Sequence, residues 1–305
     1  MTAVPSPSPA ARLAARPASR RRSPGRWFAD TGWRHLVGVL TLVFALFPIV
    51  FVLSASLNAN GTLTAANDLF ADLSLVNYRE LFTSPVHPYP RWFLNTMVVA
   101  GGTAILQVFV AAMAAYAFSR FRFAGRRLGL LGLLLVQMFP QLLAAVAIFL
   151  LMFEIGALFP GIGIGTVSGL ILVYMGGALG VTTFLVKGFF DTIPRELDEA
   201  MKVDGAGHAR VFFGMILPLA APVLAVVLLL SFITTINEYL VASIILTAPE
   251  SQTLAVGLYQ LVSQFLSANW GLFAAGALLG AIPSVLLFQF LQRYIVSGLT
   301  SGSVK

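Results

Sequence analysis

The sequence predicts an all-α, polytopic membrane protein. Of its 305 residues, 58% are hydrophobic and only 10% are charged, and the mean hydropathy is +0.88. A soluble core cannot bury that proportion of apolar surface. Long runs that are apolar on every face, such as 128–135 and 220–230, exclude the alternating strands of a membrane β-barrel.

Several apolar runs are long enough, at about 20 residues each, to cross the hydrocarbon layer of a membrane as helices. We predict six transmembrane helices, near 36–57, 93–118, 128–153, 166–189, 215–245 and 271–292. The fifth run exceeds the length that one straight span requires. It must therefore tilt, protrude into water, or break near Asn237 and Glu238.

The segment before the first span, 1–34, is predicted to be a disordered, basic tail, because it is rich in Arg, Pro, Ala and Ser and lacks apolar periodicity. It could rest on anionic membrane lipid. The remainder, 35–305, is predicted to form one transmembrane domain. A basic start before an apolar run also suits a signal peptide, but the run at 36–57 exceeds the apolar core of such a signal. We favour an uncleaved first helix.

The positions of Lys and Arg predict the orientation. Six spans place both termini on one side of the membrane, and every Lys and Arg except Arg79 and Arg91 then falls on that side. Positive residues in short loops are retained in the cytoplasm, so both termini are predicted to be cytoplasmic. The net charge of +7 is then a topology signal. Nucleic-acid binding is not predicted.

The residue types argue against several chemistries. The chain has no Cys and three scattered His, at positions 35, 87 and 208, so neither a disulfide, a thiol nucleophile nor a metal cluster is predicted. We predict no catalytic residues and no cofactor. A phosphate loop of the form G-x-x-x-x-G-K-[ST] is absent from the sequence, so any ATP would be used by a partner.

Two longer segments are predicted to lie on the outer side. The first, 58–92, is predicted to be loop with one short helix around Val76 to Phe82. The second, 247–270, has no Lys or Arg and mixes polar with apolar residues. It suits either a surface that meets a partner or substrate, or a re-entrant hairpin that packs on its own helices. Composition does not separate these two interpretations.

A polar segment at 191–218 interrupts the apolar runs and contains much of the acidic inventory. Asp191 or Thr192 can cap a helix, Pro194 suits its first turn, and Gly205 can end it in a left-handed conformation. These signals predict a short helix at about 194–204.

One stripe of this short helix is mostly apolar. Its members are Ile193, Leu197, Ala200, Met201 and Asp204. A helix that rests on lipid usually carries excess Lys and Arg, whereas this one is acidic. The pattern therefore favours docking into a cytosolic protein.

At this segment the sequence resembles a known family. Glu199-Ala200-Met201, followed by Gly205 and by Ile216-Leu217-Pro218, resembles the EAA loop of the permease subunits of ABC importers. Further matches to permeases of the MalG type, from maltose and maltodextrin importers, are Gln137-Met138-Phe139-Pro140, Lys187-Gly188-Phe189-Phe190, Ser231-Phe232-Ile233, Thr253-Leu254-Ala255-Val256-Gly257 and Gly298-Leu299-Thr300. The resemblance covers most of the chain after residue 36. Two departures, Met201 for Ala and Met215 for Ile, keep an apolar side chain.

The resemblance implies a type I importer permease fold, of the MetI-like kind, in the bacterial inner membrane. It also implies a pathway for maltose, maltodextrin or a related oligosaccharide, and three kinds of partner: a second permease subunit, a dimer of ATP-binding cassette ATPases and an extracytoplasmic sugar-binding protein. The residues that it assigns to ATPase coupling are Glu199, Ala200, Met201, Asp204, Gly205, Ile216, Leu217 and Pro218. The loop at 247–270 would reach into the sugar-binding protein.

Polar residues inside apolar runs are the candidates for the translocation pathway. Glu238, between Asn237 and Tyr239, is costly in lipid, at about 2.5 kcal/mol or more at the bilayer centre. It is either a pathway group or a hydrogen-bonded anchor between helices. Gln137 near Pro140 either lines a kinked pathway helix or bonds the carbonyls that the proline frees. The alternative function is an autonomous channel or secondary transporter that uses Glu238 as its ion site.

Overall fold

The computed structural model describes residues 31–139, 141–263 and 269–301, and most of these residues are helical. Their helices are α1 Trp33–Leu57, α2 Val76–Thr83, α3 Tyr89–Arg120, α4 Arg126–Gln137, α5 Gln141–Leu158, α6 Val167–Met175, α7 Val181–Thr192, α8 Arg195–Val203, α9 His208–Leu219, α10 Ala221–Ile236, α11 Leu240–Ile245, α12 Leu254–Ser263 and α13 Trp270–Ser301. The described part contains one isolated antiparallel bridge, Asn58 to Leu73, and no named strand. The all-α prediction is confirmed. Most of the predicted tail at 1–34 lies outside the described residues.

The chain divides into two compact units, 1–51 and 52–305. The described part of the first unit is the greater part of α1, an apolar helix of 25 residues with Pro48 inside it. The second unit contains the other helices and every site considered below. The predicted short helix in the segment 58–92 is confirmed as α2.

Three of the six predicted spans are single long helices. These are α1, α3 and the part of α13 from Trp270 to Tyr294, which are long and apolar enough to cross a membrane. A fourth span is present if α9 and α10, which meet at a bend of 77°, are counted together. Helices occupy all six predicted runs, so six spans are compatible with the structure, but that count stays a prediction.

The other three predicted spans are broken. The run at 128–153 forms α4 and α5 with a break at 138–139, and the run at 166–189 forms α6, a 3₁₀ turn at Gly176–Leu179, and α7. The run at 215–245 contains the end of α9, then α10 and α11, with a break at 237–239. A break near Asn237 was one of the three outcomes expected for this long run.

Helix α3 lies at the centre of the second unit and packs against α6, α7 and α10. Small side chains make this close packing feasible, since membrane helices approach best where residues are small. The fully buried small residues of α3 are Ala100, Ala104, Ala111, Ala112 and Ala115. Helix α3 is therefore the central packing element of this unit.

The segment 247–270 packs largely on its own protein. Leu254, Leu258 and Leu261 of α12 are buried against Trp92 of α3 and Leu272 of α13. A Cβ added at Gly257 would lie 2.3 Å from the Trp92 ring, so only glycine permits this approach. The hairpin interpretation is therefore favoured for 247–263. Residues 264–268 lie outside the described part.

Candidate functional site

The predicted coupling helix is α8, Arg195–Val203, one residue shorter at each end than expected. Gly205 follows it with φ of +82°, as predicted from its left-handed role at the helix end. The predicted cap is wrong: Pro194 occupies the N-cap position and has no side chain to bond. Thr192 instead donates to the Phe189 carbonyl, and Asp191 belongs to the last turn of α7.

The predicted apolar stripe of α8 is divided between two faces. Ile193 is buried and Met201 is half-buried, whereas Leu197, Ala200 and Asp204 are exposed. Val203, 88% exposed, lies on the exposed side and is absent from the predicted stripe. The spacing of Leu197, Ala200 and Val203, three residues apart, is the signal that places them together.

The exposed face of α8 is therefore apolar with acidic neighbours. It consists of Leu197, Ala200 and Val203, and the exposed carboxylates Glu196 and Glu199 lie beside it. We call these five residues the α8 face. An apolar strip exposed to water is unfavourable unless another surface covers it.

The remaining residues of the predicted coupling set lie in α9, where Phe212–Ile216 forms a π turn. Ile216 is fully buried in a core with Val186, Phe190 and Val211. Leu217 is half-buried and Pro218 is exposed. Their positions show that Ile216 seats α9 on the bundle, whereas the α8 residues face outward.

A buried ion pair holds α8 to the end of α3. Arg120 Nε lies 2.7 Å from Asp198 Oδ2, and the two side chains are only 5% and 7% exposed. The Arg120 guanidinium also donates to the Ile193 carbonyl at 3.1 Å. Arg195 of α8 donates back to the Ser119 carbonyl at 2.9 Å. From the sequence alone these arginines were interpreted only as topology signals, and the ion pair was not predicted.

Asp191 extends this network into α7. It accepts hydrogen bonds from Ser119 at 2.7 Å and from Lys187 at 2.5 Å. Burial raises the pKa of Asp191, but the Lys187 and Ser119 hydrogen bonds and the nearby positive charges outweigh burial and leave the pKa below its usual value. Asp191 therefore stays ionised at neutral pH and keeps both bonds.

The second region is a cavity of about 950 Å³ bordered by α3 to α6 and by α10. Two of the four predicted pathway residues, Gln137 and Glu238, line it. Each of the three broken spans borders the cavity: its lining includes Phe139 in the first break, Gly176 and Gly177 in the second, and Glu238 in the third. Irregular backbone at membrane depth is tolerated where it lines a water-filled cavity. The position of the three breaks at the cavity wall agrees with this rule.

The other two predicted pathway residues face a different space. Asn237 and Tyr239 line a groove of about 580 Å³ between α10, α12 and α13. The rings of Tyr239 and Tyr259 lie 4.5 Å apart there. The break after Ile236 explains the separation, because consecutive residues of irregular backbone point in different directions.

Glu238 is a hydrogen-bonded anchor as well as a wall of the cavity. Its carboxylate accepts the backbone N–H groups of Val241 at 2.8 Å and Ala242 at 3.0 Å, in the first turn of α11. The Tyr174 hydroxyl of α6 donates to the same carboxylate. Both oxygens are thus used to join α6, α10 and α11.

Gln107 is a cavity residue that the sequence analysis missed. Its amide donates to the Tyr174 carbonyl at 2.6 Å and accepts from the Ser231 hydroxyl at 2.6 Å. It thereby ties α3 to α6 and α10. A lone glutamine within a long apolar run was the signal available for it.

Within the described ranges, no group of three or more His, Cys, Asp or Glu side chains is placed to hold a metal ion.

Comparison with known proteins gives consistent matches. Residues 107–301 match the family described as binding-protein-dependent transport system inner membrane component. The chain is 38% identical to the maltodextrin transport system permease protein MdxG of Bacillus subtilis, over 89% of this chain and 95% of that protein. It is 38% identical to the maltose/maltodextrin transport system permease protein MalG of Escherichia coli K12, over 89% and 94%. The galactooligosaccharides permease protein GanQ of Bacillus subtilis is 39% identical, over 89% and 94%.

The fold also matches a solved structure. A chain in the crystal structure of a bacterial ABC transporter involved in the import of the acidic polysaccharide alginate superposes with a TM-score of 0.73. The match covers 89% of this chain and 98% of that chain at 21% sequence identity. At that identity the likeness establishes the fold alone.

Proposed function

The chain belongs to the family of binding-protein-dependent transport system inner membrane components, and from this membership we propose that it is a permease subunit of an ATP-driven ABC importer. It is a multi-pass membrane protein. The proposed cargo is maltose, maltodextrin or a related oligosaccharide, since relatives at 38% and 39% identity over nearly their full length carry those names. That similarity is the observation that carries the proposal.

The α8 face is the proposed docking surface for an ATP-binding subunit. Its apolar residues are exposed on a short helix whose opposite side is fixed by a buried ion pair. A helix held in this way presents a defined surface and loses little freedom on binding. Of the predicted coupling set, Glu199 and Ala200 belong to this face, and Asp204 and Gly205 are exposed just after it. Ile216 is buried and packs the following helix against the bundle.

The cavity between α3 and α10 is the proposed portion of the translocation pathway that this subunit supplies. Three broken spans meet there, and breaks give a helix bundle places to bend. Transport would proceed by alternating access, with the motion of the ATPase pair entering through α8. Gln137 faces the same cavity, which supports a pathway role for it.

The proposed assembly contains a second permease subunit, an ATPase dimer on the α8 side and an extracytoplasmic sugar-binding protein on the opposite side. The arrangement of α3 supports this division. Its Arg120 end contacts α8, and its Trp92 end contacts the segment 247–253. We propose that the α8 side is cytoplasmic and that both termini lie there.

The alternative of a channel or secondary transporter that uses Glu238 is less well supported. The Glu238 carboxylate already accepts bonds from Tyr174, Val241 and Ala242. An ion site would have to break these bonds in each cycle. The anchor interpretation accounts for the same residue without that cost.

The experiment is affinity purification of the chain from its native membrane in mild detergent. We expect an ATP-binding subunit to co-purify with the wild type and to be lost from the Leu197→Asp/Val203→Asp variant. The control is Val86→Asp, at a residue 71% exposed outside the α8 face, which should retain the ATPase. Equal ATPase recovery with the α8 variant would refute docking at that face.

A further inference from the structure

Helices α3 and α8 are joined by apolar packing and, in addition, by a buried ion pair. Apolar packing already joins the two helices, because Met201 packs against the core that contains Tyr116 and Ile193. Beside this packing lies the Arg120–Asp198 pair, whose burial removes two charges from water. A buried ion pair is often no more stabilising than apolar residues of similar volume. Stability is therefore a poor reason for this pair.

The pair and the hydrogen bonds beside it fix the orientation of α8 relative to α3. The Arg120 guanidinium is planar, and it meets the Asp198 carboxylate and the Ile193 carbonyl at the same time. Arg195 returns a bond from α8 to the Ser119 carbonyl. These contacts oppose sliding and rotation of α8 against α3, which apolar packing resists only weakly.

The same helix α3 reaches the cavity. Gln107 lies 13 residues before Arg120, about 20 Å along the helix axis. It holds the Tyr174 carbonyl and the Ser231 hydroxyl, in two helices that border the cavity. A displacement of α8 that carries α3 with it would therefore move the cavity wall.

We propose that Arg120 and Asp198 are positioning residues that clamp α8 to α3, so that the motion of a docked ATPase is transmitted to the cavity through α3 and Gln107. This inference rests on the proposed function. It assigns the transmission step to one buried pair and makes Arg120 and Asp198 determinants of coupling rather than of docking.

The test measures the distance between α8 and α3 in the complex purified from its native membrane. The chain contains no Cys, so spin labels can be attached at Lys202→Cys and Ile105→Cys, both exposed positions outside the α8 face. The distance between the two labels is measured by pulsed electron–electron double resonance, without nucleotide and with ATP and vanadate. The wild type should give one narrow distance that is the same in both states.

The decisive variant is Arg120→Met/Asp198→Leu, which removes both charges and leaves neither unpaired. We expect it to insert and to recruit the ATPase, but to show a broadened or nucleotide-dependent distance. Maltotriose uptake per ATP hydrolysed should fall by about fivefold or more. The charge-reversed pair Arg120→Asp/Asp198→Arg should recover part of the uptake, which a purely volumetric role would not predict.

The matched control is Arg91→Met/Glu250→Leu, which removes an exposed ion pair outside this contact. It should leave the distance between α8 and α3 unchanged. An unchanged narrow distance and unchanged uptake ratio in the Arg120/Asp198 double variant would overturn the clamp. If the wild type shows no ATP-driven uptake, the proposed function fails, and the distance widths of wild type and double variant still decide whether the clamp exists.

Discussion

The two ends of α3 hold neighbouring segments in different ways. At the Trp92 end most of the bonds are neutral: the indole donates to the Pro249 carbonyl, Asn95 donates to the carbonyls of Glu250 and Gln252, and Thr96 accepts from the Leu254 N–H. At the opposite end the main contact is the buried Arg120–Asp198 pair. This difference fits the proposed transmission of motion through the Arg120 end of α3.

The ion pairs at the two ends sharpen this comparison. Arg91 and Glu250 are 2.6 Å apart, but their side chains are 62% and 73% exposed. Arg120 and Asp198 are almost completely buried at a similar separation. Exposed pairs contribute little because water and salt screen them, whereas loss of one partner from a buried pair leaves a charge in an apolar environment. The two Arg–carboxylate pairs should therefore contribute unequally: removal of one partner should cost far more in the buried pair than in the exposed pair.

The largest expected effect is that of Asp198→Asn. It leaves Arg120 buried without a carboxylate and should destabilise the protein by about 3–5 kcal/mol. The matched change at the other end, Glu250→Gln, should cost at most about 1 kcal/mol. Thermal unfolding of the detergent-solubilised protein measures both. Equal losses would break the distinction between the two ends.

A smaller effect is expected at the Trp92 end from Gly257→Ala. The new Cβ would lie 2.3 Å from the Trp92 ring, so the helices must separate, at a cost of about 1–3 kcal/mol. Gly132→Ala in α4 is the control, because its Cβ meets nothing within 4 Å. It should be neutral or slightly stabilising in the same thermal assay. A neutral Gly257→Ala would show that this end is looser than described.

Next in size is Gly205→Ala, just after α8. The φ of +82° is strained for alanine and should cost about 1–2 kcal/mol. Gly207→Ala is the control, since its φ is −74° and its added Cβ meets nothing within 4 Å. We expect lower ATP-driven uptake only for Gly205→Ala, because the end of α8 is displaced. Equal uptake by both variants would contradict a coupling role for this turn.

The smallest effect is expected from Glu238→Gln. The amide oxygen can still accept a backbone N–H from α11, so the loss should be about 1 kcal/mol. Because Glu238 acts as an anchor in this account, uptake should remain within about twofold of the wild type, a change of less than 1 kcal/mol in the transport barrier. Abolished uptake together with normal folding would favour the secondary-transporter alternative and weaken the importer account.

Local signals in the sequence predicted α8 and the left-handed Gly205, and they left a break near Asn237 as one of three possible outcomes. Each depends on residues close together in the chain, such as a proline, a glycine or a run too long for one span. The spans broken at 138–139 and at 176–179 were predicted as continuous, although Pro140 and the paired glycines 176 and 177 stand in the sequence. A run of apolar residues predicts that a helix is present, but it does not locate the residues at which the helix ends.

The contacts that the sequence did not reveal join distant residues. Arg120 and Asp198 are 78 positions apart, and each was explained by local roles in topology and in an acidic helix. Gln107 was hidden in an apolar run, and the division of Asn237 and Tyr239 from Glu238 depends on backbone direction at a break. Tertiary geometry therefore decided which half of the predicted pathway set shares the cavity.

The most direct test of the central claim is uptake of radiolabelled maltotriose by proteoliposomes that contain the complex purified through this chain. A matching sugar-binding protein is added outside, and ATP is enclosed on the α8 side. The account predicts uptake that requires ATP and the binding protein and that is lost in the Leu197→Asp/Val203→Asp variant. Uptake by this chain alone, driven by an ion gradient without ATP, would contradict it.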